Sequence, residues 1–122
     1  MQQMLREAPQ IAGVFAANDS MALGAIDALA EARNASLVVG VNAIPDAIAA
    51  LNSGRLLATA DFDAMKMACI ATEAAVRFLR GERVPSEIIL PVRIVDAANC
   101  SAWDMPLEAR ACPSWDEVVA SA

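Results

Sequence analysis

Three polar residues in a row, Asn18, Asp19 and Ser20, separate a short apolar run at residues 11–16 from a stretch with apolar residues at helical spacing. The two patterns predict a strand followed by a helix over residues 20–33. In open α/β sheets, ligands bind where a strand ends and the next helix begins. Asp19 or Ser20 can cap this helix, and the Asn18 carboxamide then faces the crevice as both a hydrogen-bond donor and an acceptor. A sugar hydroxyl requires a partner of this kind.

A second asparagine, Asn42, ends the next apolar run in the same way. That run, residues 37–41, is continuous, as is typical of a parallel strand buried on both faces. Pro45 suits the first turn of the helix that follows, and Gly54 suits its left-handed end. We therefore expect Asn18 and Asn42 to lie at successive strand ends and to converge on one carbohydrate.

The remaining elements continue the alternation of strand and helix. The patterns predict a third strand over residues 56–62, a long helix over 64–80, and an edge strand or crossing segment over 88–95, which a proline interrupts. This order predicts an α/β fold with a doubly wound parallel sheet and right-handed crossovers. From residue 99 onward we expect an irregular strap whose tryptophans cover apolar surface, with a short helix over 115–120.

The composition excludes several classes of function. Histidine is absent, which removes the histidine-dependent nucleophiles and the usual zinc and iron ligands, so no catalytic centre, metal or cofactor is expected. Fifteen acidic against nine basic residues give a net charge of −6 that no basic cluster offsets, so nucleic-acid binding is not expected. No apolar run reaches membrane-spanning length, so membrane insertion is not expected either. The first residues lack a secretory signal peptide pattern, which taken alone indicates the cytoplasm.

The three cysteines, Cys69, Cys100 and Cys112, are isolated rather than paired in C-x-x-C motifs. Cys69 falls within the long predicted helix, where a buried small apolar residue is the simplest interpretation. Cys100 and Cys112 are close enough in sequence to form a bridge in an oxidising compartment, although spacing alone does not define their geometry.

Five segments carry a resemblance to a known family, in order and with their spacing kept. They are F-A-A-N-D-S-M-A-L-G-A-I-D-A-L at residues 15–29, V-V-G-V-N at 38–42, P-D-A-I-A-A-L-N-S-G at 45–54, L-L-A-T-A-D-F at 56–62 and L-R-G-E-R-V-P at 79–85. This series resembles the periplasmic sugar-binding proteins of the ribose-binding type, which are the substrate receptors of ABC importers. It also resembles the sugar-sensing domain of LacI-type repressors.

The resemblance implies a two-lobed protein whose lobes are joined by three crossing segments and hold a sugar between them. This chain would supply only part of it. Residues 1–62 would form the second half of the C-terminal lobe, residues 63–85 a crossing segment and one helix of the N-terminal lobe, residues 86–99 a returning strand, and residues 100–122 an irregular tail. The lack of a secretory signal is explained if these residues are the C-terminal portion of a longer receptor that works in the periplasm.

The resemblance also assigns roles to individual side chains. Asn18 matches the family asparagine that hydrogen-bonds the sugar. Asn42 stands where the family typically has an aspartate, so it keeps a polar partner but changes the expected sugar preference. Phe62 replaces a hinge glutamine, and its ring either covers the apolar face of a sugar or belongs to the hinge core. Asp61 and Asp63 flank it, and either can reach the cleft.

The leading functional prediction is a non-catalytic one. The chain would be part of the substrate-binding component of a sugar ABC transporter, which binds a monosaccharide or polyol by hinge closure and passes it to the permease. The alternative is the effector-binding domain of a LacI-type transcription regulator, which shares the same motifs. Exposed strand edges and the apolar helix face at residues 67–78 also predict self-association of the fragment.

Overall fold

The chain alternates helices and strands up to residue 96 and continues as a tail with little regular structure. In chain order the elements are α1 (Gln2–Glu7), β1 (Gly13–Phe15), α2 (Asp19–Glu31), β2 (Leu37–Val41), α3 (Pro45–Asn52), β3 (Ala58–Asp61), α4 (Ala64–Leu79), β4 (Arg93–Asp96) and α5 (Trp115–Val119). The computed structural model describes residues 1–119. Its four strands form one sheet in the order β1-β2-β3-β4. The α/β class is therefore as predicted.

The hydrophobic core lies on one face of this sheet, against α2 and α3. Alternation along the paired strands places Val38, Thr59 and Val95 on the core face, where all three are buried. Ile48 and Leu51 of α3 are the largest apolar side chains that are completely buried there. The opposite face is more open, since the strand residues on it are half-exposed or exposed. Helices thus cover a single face of the sheet in the part of the chain that the structure describes.

Strand β4 departs from the predicted parallel arrangement. Strands β1 to β3 run parallel, whereas β4 pairs antiparallel with β3 at the edge of the sheet. A right-handed parallel crossover requires the connecting helix to pack back onto the sheet. Helix α4 instead joins a separate apolar cluster with Ile88, Leu90 and Trp115. The chain consequently re-enters the sheet from the end where β3 finishes, which makes β4 antiparallel.

The tail forms a strap that contacts both apolar clusters, as the sequence predicted. Trp103 packs against the main core, and the Trp115 side chain is buried beside α4. Two single-turn 3-10 helices, Cys100–Trp103 and Leu107–Ala109, give the first half of the strap its shape. The short helix expected over 115–120 is present as α5, and residue 120 lies outside the described residues.

The interpretation of Cys69 as a buried apolar residue is wrong, and the bridge between Cys100 and Cys112 that their spacing allowed does not form. Cys69 of α4 forms a disulfide with Cys112 of the strap, with 5.8 Å between their Cα atoms. Cys100 has no disulfide partner and is buried, and its thiol donates to the side-chain oxygen of Asn52 at 3.1 Å. The strap folds back along α4 and brings Cys112 to a residue 43 positions away. The first 3-10 helix meanwhile holds Cys100 against α3.

Exposed apolar side chains are frequent on α4 and its surroundings, and Phe78 and Leu79 are among the most exposed. Self-association of the fragment through such surface stays a prediction. Among residues 1–119, no helix combines the length and the apolar character that crossing a bilayer requires.

Candidate functional site

The candidate site lies at the carboxyl edge, which we define as the end of the sheet where β1, β2 and β3 finish. Because these neighbouring strands are parallel, the residues that follow them emerge on the same edge. Asn18 follows β1, Asn42 follows β2, and Asp61 and Phe62 lie at the end of β3. The four side chains singled out from the sequence therefore belong to one edge of the molecule.

Asn18 caps helix α2. Its Oδ1 accepts a hydrogen bond from the backbone N–H of Met21 at 2.9 Å, and its backbone is extended. The prediction that Asp19 or Ser20 caps this helix is therefore wrong. Because the cap uses only the oxygen, the Asn18 side-chain NH2 group is left to donate elsewhere, and no acceptor for it occurs among residues 1–119.

Asp19 turns inward instead of capping the helix. Its side chain is completely buried, and its Oδ1 accepts from the Thr59 hydroxyl at 2.7 Å. Its Oδ2 accepts from the backbone N–H of Ile44 at 3.0 Å. Burial raises the pKa of this carboxyl above its ordinary value; the hydrogen bonds from Thr59 and Ile44 oppose that rise, and the negative charge of Asp61 adds to it.

Asn42 and Ala43 form a turn with an unusual backbone. Their φ angles are 119° and 51°, in a region that residues with a side chain rarely adopt. Asn42 donates its backbone N–H to the Ala60 carbonyl at 2.9 Å, which extends the sheet by one residue. The Asn42 side chain is half-buried, and no hydrogen bond engages it within the described part of the chain. Its amide is thus available at the carboxyl edge as both donor and acceptor.

Asp61 is largely committed to the protein itself. Its side chain is 6% exposed, its Oδ1 accepts from the Asp63 backbone N–H at 2.8 Å, and its Oδ2 accepts from the Trp103 indole N–H at 2.7 Å. Ligand contact by Asp61, which stays a prediction, would compete with these bonds. Asp63 caps α4 through a bond from the Lys66 N–H at 3.1 Å. Both carboxylates thus support the junction between β3, α4 and the strap.

Phe62 lies where the sheet gives way to α4. It lines an apolar groove of about 320 Å³ between α4 and the segment that returns toward β4. The other groove residues are Met67, Ile70, Ala71, Ala74, Ile88 and Leu90. These neighbours favour the hinge-core interpretation of Phe62 over contact with a sugar ring.

The sequence placed Thr59 in the third strand, but no role at the site was predicted for it. Thr59 is fully buried in β3, where its hydroxyl donates to Asp19 and accepts from the Ala43 N–H at 3.3 Å. A polar residue on the buried side of an alternating strand was the available signal, because such a residue requires partners. The partners lie 16 and 40 positions away in sequence, so the pattern did not reveal them.

The buried carboxyl of Asp19 predicts a pH dependence of stability. Its pKa in the folded chain exceeds the unfolded value near 3.8, so protonation favours the fold. The contribution of Asp19 is therefore full below the unfolded pKa and is lost as the pH rises through the folded pKa. We expect wild type to gain stability relative to Asp19→Asn on acidification from neutral pH toward 4. Urea unfolding of both proteins across this pH range measures their free energies of unfolding. The prediction is contradicted if the value for wild type minus the value for Asp19→Asn stays constant or falls as the pH is lowered.

Strands β1 to β3 are parallel, and the amides of Asn18 and Asn42 lie at their carboxyl edge. This arrangement is typical of α/β ligand-binding domains. Residues 1–83 match the family described as periplasmic binding protein domain, and the chain belongs to that family.

Individual relatives agree with this assignment. The chain is 36% identical to the ribose import binding protein of Bacillus subtilis (strain 168) over 94 residues, which cover 77% of this chain and 31% of that protein. It is similar to an ABC transporter solute-binding protein from Actinobacillus succinogenes 130z with bound D-allose, with a TM-score of 0.78, 34% identity, and coverage of 83% of this chain and 36% of that one. It is also similar to an ABC transporter solute-binding protein from Bacillus halodurans C-125 with bound myo-inositol. The TM-score is 0.79 and the identity 31%, and the match covers 84% of this chain and 36% of that one. The chain spans about a third of the length of these relatives.

The resemblance inferred from the five sequence segments is therefore confirmed. The relatives are binding proteins, so the prediction of a protein that is not an enzyme is confirmed as well. Membership of the family implies the periplasm as the compartment. The boundaries at residues 62, 85 and 99, and the ligand roles of individual side chains, stay predictions.

Proposed function

We propose that this chain is part of a periplasmic protein that binds a monosaccharide or polyol in an interlobe cleft and delivers it to an ABC importer. The observation that carries the proposal is the pair of amides, Asn18 and Asn42, at neighbouring strand ends of a periplasmic binding protein fold. Relatives named for ribose, and solved with allose or myo-inositol, support a ligand rich in hydroxyl groups. They lend no support to the regulator alternative.

The chemistry of the two amides fits hydroxyl groups. The Asn18 NH2 group donates to a ligand oxygen while its own oxygen stays on the helix. Asn42 offers a donor and an acceptor at once, so it can bind a hydroxyl that itself donates and accepts. Closure of a second lobe over this edge would exclude water and strengthen each of these bonds.

Isothermal titration calorimetry with D-ribose, D-allose and myo-inositol tests the proposal. The protein expressed from the complete reading frame should bind at least one of them with a Kd in the micromolar range or below. The 122-residue chain should show negligible affinity, because the proposed cleft requires a second wall that this chain does not supply. Absence of binding by the folded complete protein to these ligands and to a wider panel of pentoses, hexoses and polyols would overturn the proposal. Micromolar binding by the 122-residue monomer would overturn the requirement for two lobes.

Two variants of Asn18 separate its ligand role from its capping role. Asn18→Asp keeps an oxygen acceptor for the Met21 N–H but loses the amide donor, so stability should hold while affinity falls by roughly tenfold or more. Asn18→Ala should lose the affinity and also about 1 kcal/mol of unfolding free energy, since the cap is gone. Calorimetry and urea unfolding of the complete protein measure the two effects. Unchanged affinity in Asn18→Asp would remove Asn18 from the site.

A further inference from the structure

Side chains from distant parts of the chain hold the backbone at Ala43 and Ile44, in addition to the sheet bond from the Asn42 N–H to the Ala60 carbonyl. Thr59 accepts the Ala43 N–H, Asp19 accepts the Ile44 N–H, and the strap residue Arg110 donates from Nη2 to the Ala43 carbonyl at 2.8 Å. The three bonds come from β3, α2 and the strap, so three separate parts of the chain converge on two consecutive residues.

These bonds act on a conformation that the backbone does not favour by itself. Positive φ angles at two adjacent residues with side chains carry a cost that the surroundings must offset. The hydroxyl of Thr59 connects Ala43 to Asp19, because it accepts a hydrogen bond from the Ala43 N–H and donates one to the Asp19 carboxylate. Removing that hydroxyl would therefore free the Ala43 N–H and leave one oxygen of the buried Asp19 carboxylate without its partner.

We propose that Thr59 and Asp19 are positioning residues for ligand binding, which hold the Asn42–Ala43 turn in its left-handed conformation and so fix the direction of the Asn42 amide. This inference rests on the proposed function for its ligand-binding part. The clamp on the turn is a property of the chain and can be measured without a ligand. Neither residue touches the ligand in this scheme, since both side chains are buried beneath the turn.

Amide hydrogen exchange on the 122-residue chain measures the clamp by itself. Thr59→Val keeps the shape of the side chain but removes the hydroxyl, and it should speed exchange at Ala43 and Ile44 by tenfold or more. The Asn42 amide, which is bonded to the Ala60 carbonyl, should change much less. Thr59→Ser should restore slow exchange. Thr72→Val on α4, whose exposed hydroxyl bonds the Ala68 carbonyl, is the matched control and should leave the turn unchanged. Equal acceleration across all of β2, or none at Ala43, would overturn the clamp.

A double-mutant cycle in the complete protein then tests the link to the ligand. With whichever of D-ribose, D-allose and myo-inositol binds the wild type, Thr59→Val should weaken binding at least fivefold. In an Asn42→Ala background the same change should have almost no further effect, because its action passes through Asn42. An equal loss in both backgrounds, or no loss in either, would overturn the positioning role. If the wild type binds no sugar or polyol, the proposed function and the ligand part of this inference fail together, while the exchange result stands separately.

Discussion

Replacing both Cys69 and Cys112 with serine should lower the free energy of unfolding by about 4 kcal/mol, by the chain-entropy estimate for the loop that this disulfide closes. The two cysteines are 43 residues apart, so the bridge removes many conformations from the unfolded chain. The apolar cluster that it fastens is small, since among residues 1–119 its buried members are Ile70, Trp115 and Val118. The strap should consequently separate from α4 before the main core unfolds. Urea unfolding followed by far-UV circular dichroism and by tryptophan fluorescence measures both effects.

The control for this prediction is the remaining cysteine. Cys100→Ser leaves the disulfide intact and keeps a donor for the Asn52 side chain, so it should change stability by roughly 1 kcal/mol or less. A reducing agent should bring wild type down to the level of the double variant and should not change the double variant. Equal stability of wild type and the double variant under oxidising conditions would contradict the prediction.

The elements that the sequence predicted well are those whose signals are local. Helix α2 begins within a run of three polar residues and carries apolar residues at helical spacing, and α3 begins at Pro45, so their positions follow from neighbours in the chain. The direction of β4 is not local. It depends on whether α4 packs on the sheet or leaves it, and the amphipathic pattern of α4 is the same in both cases.

The same distinction between local and long-range signals explains which features of the candidate site could be predicted. Asn18 and Asn42 were expected at one edge because parallel strands place their ends together, and the topology does so. Which of Asn18 and Asp19 caps α2 could not be derived, since both side chains suit that position. The choice is made by Thr59 and Ile44, which satisfy a carboxylate inside the protein and lie 40 and 25 residues away. The disulfide partner of Cys69 could not be predicted either, because Cys112 lies 43 residues away in sequence.

Gly40 is the residue of β2 that faces Asp19, so a side chain at this position should strongly lower the free energy of unfolding. A Cβ atom added at Gly40 would overlap Asp19 Oδ1 and would lie 3.1 Å from the Cβ of Ala22. The carboxyl group cannot move away without losing its bond to Thr59, since all of these groups are buried. Gly40→Ala should therefore destabilise the chain by about 3 kcal/mol, which combines overpacking with the loss of a buried hydrogen bond.

Gly24→Ala is the matched control for this change. Gly24 lies on the exposed side of α2 and has no atom within 4 Å of an added Cβ, so alanine there should raise stability by roughly 0.5–1 kcal/mol through helix propensity. Urea unfolding of the two alanine variants should thus give changes of opposite sign. Because Asp19 is displaced only in Gly40→Ala, that variant should also speed amide exchange at Ile44, which bonds the Asp19 carboxylate. A Gly40→Ala variant as stable as wild type would mean that the carboxyl group has room to move, and the close packing of Asp19 against β2 would then not hold the turn in place.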